Sequence, residues 1–197
     1  MPSAVAEHTA TPADWQLLVL AGGKGSRMEG ADKGLMLIEG KPAVSRLQQR
    51  FSPPSMLTSA NRHADRYAAL GVQTVADVRP GFCGPLAGLE ALLRQSFSHR
   101  AVLVPCDMPW LPASLPQQLL GELAGDDSIV IAHDGERLQP LCMALCPTRW
   151  RENLSGYLDQ GGRSVHGWLE GKPVQVCQFA SPQAFRNLNT VEDLAGC

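Results

Sequence analysis

Apolar residues in this chain come in short runs between glycine- and proline-rich breaks, and their period changes from run to run. In Gln16–Ala21 (QLLVLA) they follow one another without alternation, the pattern of a strand buried on both faces. Ala43–Phe51 instead places Val44, Leu47 and Phe51 on one side of a 3.6-residue period, with Pro42 suited to a first turn, and predicts a helix. A second strand is predicted at Ser55–Ser59 and a short helix through Tyr67, Ala68 and Leu70, ended by Gly71. A third apolar run, Val72–Ala76, closes on Asp77. Pro80–Gly84, with two glycines and a proline, is a loop. Leu86, Leu89, Leu92 and Leu93 mark one face of a helix over Leu86–Phe97, and Ala101–Pro105 is another buried strand. Beyond it the pattern predicts a helix at Pro112–Leu123, a strand at Ser128–Ala132 and a turn at His133–Arg137 into a strand, Gln139–Cys146. Helices at Pro147–Leu158 and Ser164–Leu169 and a last strand at Val174–Phe179 complete it.

Strand and helix therefore alternate, which predicts an α/β fold of three layers: a mostly parallel sheet flanked by helices, with ligands at the carboxyl ends of the strands. A hairpin at His133–Arg137 makes the sheet mixed. Residues 1–14 are polar, carry two prolines and show no period, so they read as a flexible extension before a single domain spanning 15–197. With 44% apolar and 18% charged residues in a chain of 197, one globular core is expected.

Net charge of -2 gives no general attraction for nucleic acid. The cations are instead concentrated at Lys24–Lys33 and at Arg46, Arg50, Arg62 and Arg66, which suits a small phosphorylated ligand. No apolar segment reaches the ~20 residues of a membrane span, and the opening residues lack a signal peptide's basic and apolar regions, so a cytoplasmic location is expected. In that reducing compartment the six cysteines are expected as free thiols, and no His or second Cys pair completes a zinc spacing with Cys142 and Cys146.

The candidate chemistry starts at Leu17–Lys33 (LLVLAGGKGSRMEGADK), where an apolar strand runs into a glycine turn and three cations. Glycine lets backbone N–H groups approach phosphate without a Cβ in the way, and Lys24, Arg27 and Lys33 add whole charges, so the loop is suited to a nucleoside triphosphate. It is not a P-loop: neither Gly40-Lys41 nor Gly171-Lys172 has the required upstream glycine and downstream hydroxyl. Nor is it a dinucleotide fingerprint, since Gly23-Lys24-Gly25-Ser26-Arg27-Met28 lacks the third glycine. Asp107 follows the strand Ala101–Pro105 at the end where open α/β sheets hold ligands, between Pro105 and Pro109, and is the candidate ligand for a magnesium ion. Gly84–Gly88 (GPLAG) leads into a helix N-terminus, which favours an anion or a polar base edge, and Asn61 offers amide donors and an acceptor. The same residue types have plainer uses: Asp107 as a helix cap or turn residue, Asp77 as a turn residue, Gly84-Pro85 as an ordinary loop-to-helix step, and Asn187-x-Asn189-Thr190 as a helix cap.

Leu20-Ala21-Gly22-Gly23, Arg27-Met28 and Asp32-Lys33 together resemble the signature of nucleotidyltransferases with a Rossmann-like α/β domain. Asn61-Arg62, Gly84–Gly88, Pro105-Cys106-Asp107-Met108-Pro109 and Asn187-Leu188-Asn189-Thr190, in that order, are similar to the molybdenum cofactor guanylyltransferases, the MobA family, from about Gln16 to Leu194. The resemblance implies that Ala21, Gly22, Gly23, Lys24, Gly25 and Arg27 hold the β- and γ-phosphates of GTP, with Leu20 also at the nucleotide, and that Lys33 sits at the α-phosphate. It also puts Ser59, Asn61, Asp77, Gly84, Pro85 and Asp107 at the nucleotide and makes Lys33, Arg27 and Asp107 the catalytic set. Where the family often has Asn two residues before Asn61, this chain has Ser59. Arg163, Asn187 and Asn189 correspond to the acceptor side, where molybdopterin would lie. The implied reaction is GMP transfer from GTP to the molybdopterin phosphate, with recipient molybdoenzymes and their chaperones as further partners and neither nucleic acid nor membrane. A cytidylyltransferase or sugar-phosphate nucleotidyltransferase of similar fold, and a nucleotide-dependent carrier without turnover, stand beside it as alternatives.

Overall fold

The computed structural model describes residues 15–21, 32–80 and 84–188. Along the chain run β1 (Trp15–Leu20), β2 (Leu37–Ile38), β3 (Lys41–Pro42), α1 (Ala43–Phe51), β4 (Met56–Ser59), α2 (Ala64–Ala69), β5 (Gln73–Val75) and α3 (Pro85–Gln95). Then follow β6 (Arg100–Pro105), α4 (Leu115–Gly121), β7 (Ile129–His133), β8 (Leu138–Leu145), α5 (Pro147–Asp159), α6 (Val165–Leu169) and β9 (Val174–Gln178), with 3-10 turns at Lys33–Leu35 and Pro182–Phe185.

β1 is the hinge of the sheet, as its unbroken apolar run requires: all six of its residues are buried. It pairs in parallel with β4 on one side (Leu17↔Met56 to Leu20↔Ser59) and with β6 on the other (Trp15↔Arg100 to Leu20↔Pro105). The seven strands lie in the order β5-β4-β1-β6-β8-β7-β9. β8 runs antiparallel to both β6 and β7, and the remaining pairs are parallel, so the sheet is mixed as the hairpin predicts.

The two-residue period of the strands divides the core into two layers. Leu17, Val19, Val102 and Val104 meet α1, α2 and α4 through Val44, Leu47, Phe51, Tyr67, Leu115 and Leu119. Leu18, Leu20, Leu103 and Met143 meet α3, α5 and α6 through Leu86, Leu89, Leu93, Leu154, Leu158 and Trp168. Three layers result. Among the described residues no helix is long and apolar enough to cross a membrane. Cys106, Cys142, Cys146 and Cys177 are free and buried.

The structure departs from the sequence pattern in two places. α4 starts at Leu115 instead of Pro112, because Pro116 has no N–H to bond back into the preceding turn. Between Lys33 and Pro42 the 3-10 turn and the β2–β3 hairpin were not expected, since elements of two or three residues carry no period to read. A small cluster of Ile38, Ala43 and Leu188, with Met36 and Trp110 against it, ties that hairpin to the loop after β6.

The chain leaves β1 for β4 on one side, while β6 lies on the other, so strand order reverses between β1 and β6. The carboxyl ends of those two strands frame the crevice in which open α/β sheets bind ligands.

Candidate active site

Two loops leave the crevice. Cys106 N donates to Leu20 O at 2.9 Å, carrying the β1–β6 pairing one residue past the strand and aiming Asp107 over the sheet edge. Pro105 and Pro109 stiffen this segment, Leu188 N donates to Asp107 O at 2.7 Å, and Arg50 Nε donates to Leu111 O. Lys33 reaches the same point, its Nζ 2.9 Å from Asp107 Oδ2. Both side chains are only partly exposed, at 31% and 21%, so solvent screens the pair less than it would a surface ion pair. No helix starts at Asp107, which removes the capping alternative: the next helix begins at Leu115.

Lys33 opens a 3-10 turn capped by Asp32, whose Oδ1 accepts from Gly34 N at 3.1 Å. The same oxygen accepts the Tyr67 hydroxyl at 2.6 Å. Burial, reinforced by the Asp32 bond and charge, pushes the Tyr67 phenol far above its ordinary range, so it stays a proton donor. Burial likewise raises the thiol of Cys106, with Asp107 and Asp32 adding to it, so Cys106 is a neutral packing residue.

A polar group stands at the ends of β4 and β5. Asn61 Nδ2 donates to Asp77 Oδ2 at 2.8 Å and Asp77 N donates to Asn61 Oδ1 at 2.7 Å, so the two residues lock one another. Asp77 Oδ1 is buried and finds no partner among the described residues, and the same holds for Ser59 Oγ. Leaving a buried polar atom unpaired costs about 1–3 kcal/mol, so these atoms are ready for donors or acceptors of a ligand. Ser59 is 1% exposed and faces Gly88: a Cβ on Gly88 would lie 2.8 Å from Ser59 Oγ. The second glycine of GPLAG is thus a packing requirement that brings α3 onto β4. The first, Gly84, takes φ +79 and precedes Pro85 at the helix start, as expected of a loop-to-helix step.

Leu20, Ala21, Lys33, Ser59, Asn61, Asp77 and Asp107 are therefore gathered at one edge, and Ala21 N donates to Ser59 O at 3.1 Å across it. Asn187 is exposed and adjoins Leu188, which holds Asp107. Arg163 is exposed and donates to the carbonyls of Leu158 and Gly162 at 2.8 and 2.6 Å, ending α5. Gly22, Gly23, Lys24, Gly25, Arg27 and Asn189 lie outside the described residues, as do residues 1–14. Asp32 and Tyr67 were not assigned from sequence. Asp32 is legible as a cap residue type before a turn, whereas Tyr67 reads only as part of an apolar helix face.

A divalent cation fits this donor set: Asp107 supplies hard oxygen, one of its two oxygens is not used by Lys33, and substrate phosphates and water would complete the shell. A second grouping lies at the opposite edge, where His99, Asp126 and Cys146 place one donor atom each within 4.8 Å of one another. There His99 and Asp126 form an exposed pair, Nε2 to Oδ1 3.0 Å.

A sequence profile of the MobA-like NTP transferase domain matches residues 17–174. The chain belongs to that family. Its MobA-like relatives include the molybdenum cofactor guanylyltransferase of Shewanella sediminis, 36% identical over 89% of this chain and 91% of that protein. That of Cupriavidus pinatubonensis is 37% identical over 90% and 92%. Among solved structures, molybdopterin-guanine dinucleotide biosynthesis protein A from Archaeoglobus fulgidus superposes with a TM-score of 0.74 at 25% identity, covering 92% of this chain and 95% of that one. The 4-diphosphocytidyl-2C-methyl-D-erythritol synthase of Anaerococcus prevotii matches with a TM-score of 0.72 at 10% identity over 94% of each chain, a likeness of fold alone. The MobA-like chain is a nucleotidyltransferase built on the Rossmann-like sheet that its strand alternation predicts.

Proposed function

We propose that this protein transfers GMP from GTP to the terminal phosphate of molybdopterin and releases pyrophosphate, forming a guanine dinucleotide cofactor. The observation that carries the reading is the Lys33–Asp107 pair at the switch point of a MobA-like sheet. Two anions must meet there, and their repulsion has to be offset where charge grows in the transition state.

In this reading Lys33 turns from Asp107 towards the α-phosphate as the nucleotide enters, while Leu20–Gly25 with Lys24 and Arg27 hold the β- and γ-phosphates. Ser59, Asn61, Asp77, Gly84 and Pro85 take the nucleoside. Arg163, Asn187 and Asn189 form the acceptor side. Magnesium on Asp107, when bound, supplies Lewis-acid stabilisation of phosphate charge. An acceptor phosphate oxygen forms a bond to the α-phosphorus as the bond to the β-phosphate oxygen breaks, and the electron pair leaves with pyrophosphate. The acceptor is already ionised at neutral pH, so no side chain need act as a general base. The enzyme would work in the cytoplasm and hand its product to recipient molybdoenzymes or their chaperones.

The test is incubation with molybdopterin, magnesium and either GTP or CTP, following pyrophosphate. Release with GTP and formation of the guanine dinucleotide is the expected outcome. Release with CTP alone would make the protein a cytidylyltransferase, and release with neither would favour a carrier.

A further inference from the structure

We infer that Tyr67 is a positioning residue for Lys33, acting through Asp32: its hydroxyl fixes the turn from which the lysine reaches the crevice. The inference rests on the reading that Lys33 works at the α-phosphate.

Lysine is a long, flexible side chain, and immobilising it costs rotamer entropy. Where its ammonium points depends first on where its backbone is held. The backbone at Lys33 follows a glycine-rich stretch of sequence and precedes a hairpin of two-residue strands, which has few ladder bonds of its own. Besides the Met36 N to Lys33 O bond and the burial of Leu35, the described residues hold it through Asp32. Oδ1 of Asp32 takes Gly34 N at 3.1 Å, while Asp32 O takes Leu35 N at 3.1 Å. That carboxylate is in turn fixed by the Tyr67 hydroxyl at 2.6 Å, 35 residues away in sequence.

Tyr67 itself cannot move easily. Its ring is 0% exposed in the layer between the sheet and α1, and α2 carries it there. Gly34 matches it, since a Cβ at that position would collide with the phenol oxygen. Asp32, Gly34 and Tyr67 thus form one fitted unit, with Lys33 projecting from its centre towards Asp107. A tyrosine placed there for packing alone would have no use for its hydroxyl, which phenylalanine could omit.

Tyr67→Phe keeps the ring and removes the bond, so it separates positioning from packing. In steady-state pyrophosphate release it should lower kcat at least about fivefold, with KM for GTP within about twofold and the thermal midpoint within about 3 °C of the parent. Unchanged kcat overturns the inference, and so does a lower midpoint with unchanged kcat. In a Lys33→Ala background the same substitution should cause no further loss, because it acts through the missing side chain. Full additivity overturns it too. If the parent protein releases no pyrophosphate with any nucleotide, the functional reading fails, and a second readout still decides the inference. Lys33 acylation by an amine reagent, measured by peptide mass spectrometry relative to the other lysines, should rise at least about threefold in Tyr67→Phe. Equal reactivity overturns the positioning role.

Discussion

Lys33 and Asp107 are 74 positions apart in the chain and 2.9 Å apart in space, and the consequences of changing either follow from what the other is left with. On the proposed reading Lys33→Ala removes a charge needed only as the phosphate changes partners, so kcat should fall by about 10²–10³-fold while circular dichroism stays native. Asp107→Asn keeps the shape, removes the charge proposed to hold the metal and takes the ion-pair partner from Lys33, so it should lose activity to a similar degree, read by the same pyrophosphate assay. That these two residues are candidates was legible in the sequence, as D-K after a glycine-rich stretch and as an aspartate just past a strand. That they touch was not. Ser59 shows the same divide: its identity as a departure from the family is plain in the chain, but only packing against Gly88 shows why a small side chain fits there.

At the scale of elements, α3 and α5 are joined by a buried charge cluster that no period reveals. Glu90 is 0% exposed and receives Arg79 in a fork, Nε to Oε2 2.6 Å and Nη2 to Oε1 3.0 Å, with Arg94 Nη2 at 3.2 Å. Arg79 also reaches Asp159 at 2.8 Å, binding the loop after β5 to both helices. Burial by itself would raise the Glu90 carboxyl, and the bonds from Arg79, Ser155 and Arg94 outweigh it and hold the group below the usual carboxylate range. With a folded value below the unfolded one, its stabilisation is complete above the ordinary carboxylate range and is lost as pH falls through the lowered value. Glu90→Gln should therefore cost about 3 kcal/mol at neutral pH and flatten the acid limb of stability, as urea midpoints between pH 6 and pH 3 would show. An unchanged acid limb would remove Glu90 from that role. Strands were the best-read elements, because an unbroken apolar run in a short segment has few other uses. The β2–β3 hairpin and the start of α4 were the worst read, since one depends on contacts with Trp110 and Leu188 and the other on a missing N–H.

For the whole molecule, a divalent cation held at Asp107, as proposed, would serve the reaction and not the fold. Asp107 is a single carboxylate at the sheet edge and belongs to neither of the two apolar layers of the core. EDTA should thus abolish pyrophosphate release yet leave the thermal midpoint of the nucleotide-free protein within about 1 °C, and adding GTP with magnesium should raise that midpoint by mass action. A large fall in midpoint on chelation would show a structural metal instead. The sequence by itself determined the fold class, the order of the main elements and the place of an acidic residue just past a strand end, because hydrophobic period and glycine placement act locally and leave local traces. Only the tertiary structure decided which residues meet. Tyr67 on Asp32, Asn61 on Asp77, Arg79 on Glu90 and Lys33 on Asp107 are each 11 to 74 positions apart. Such pairings arise from the strand order and from the packing of helices on the sheet, so no stretch of sequence contains them.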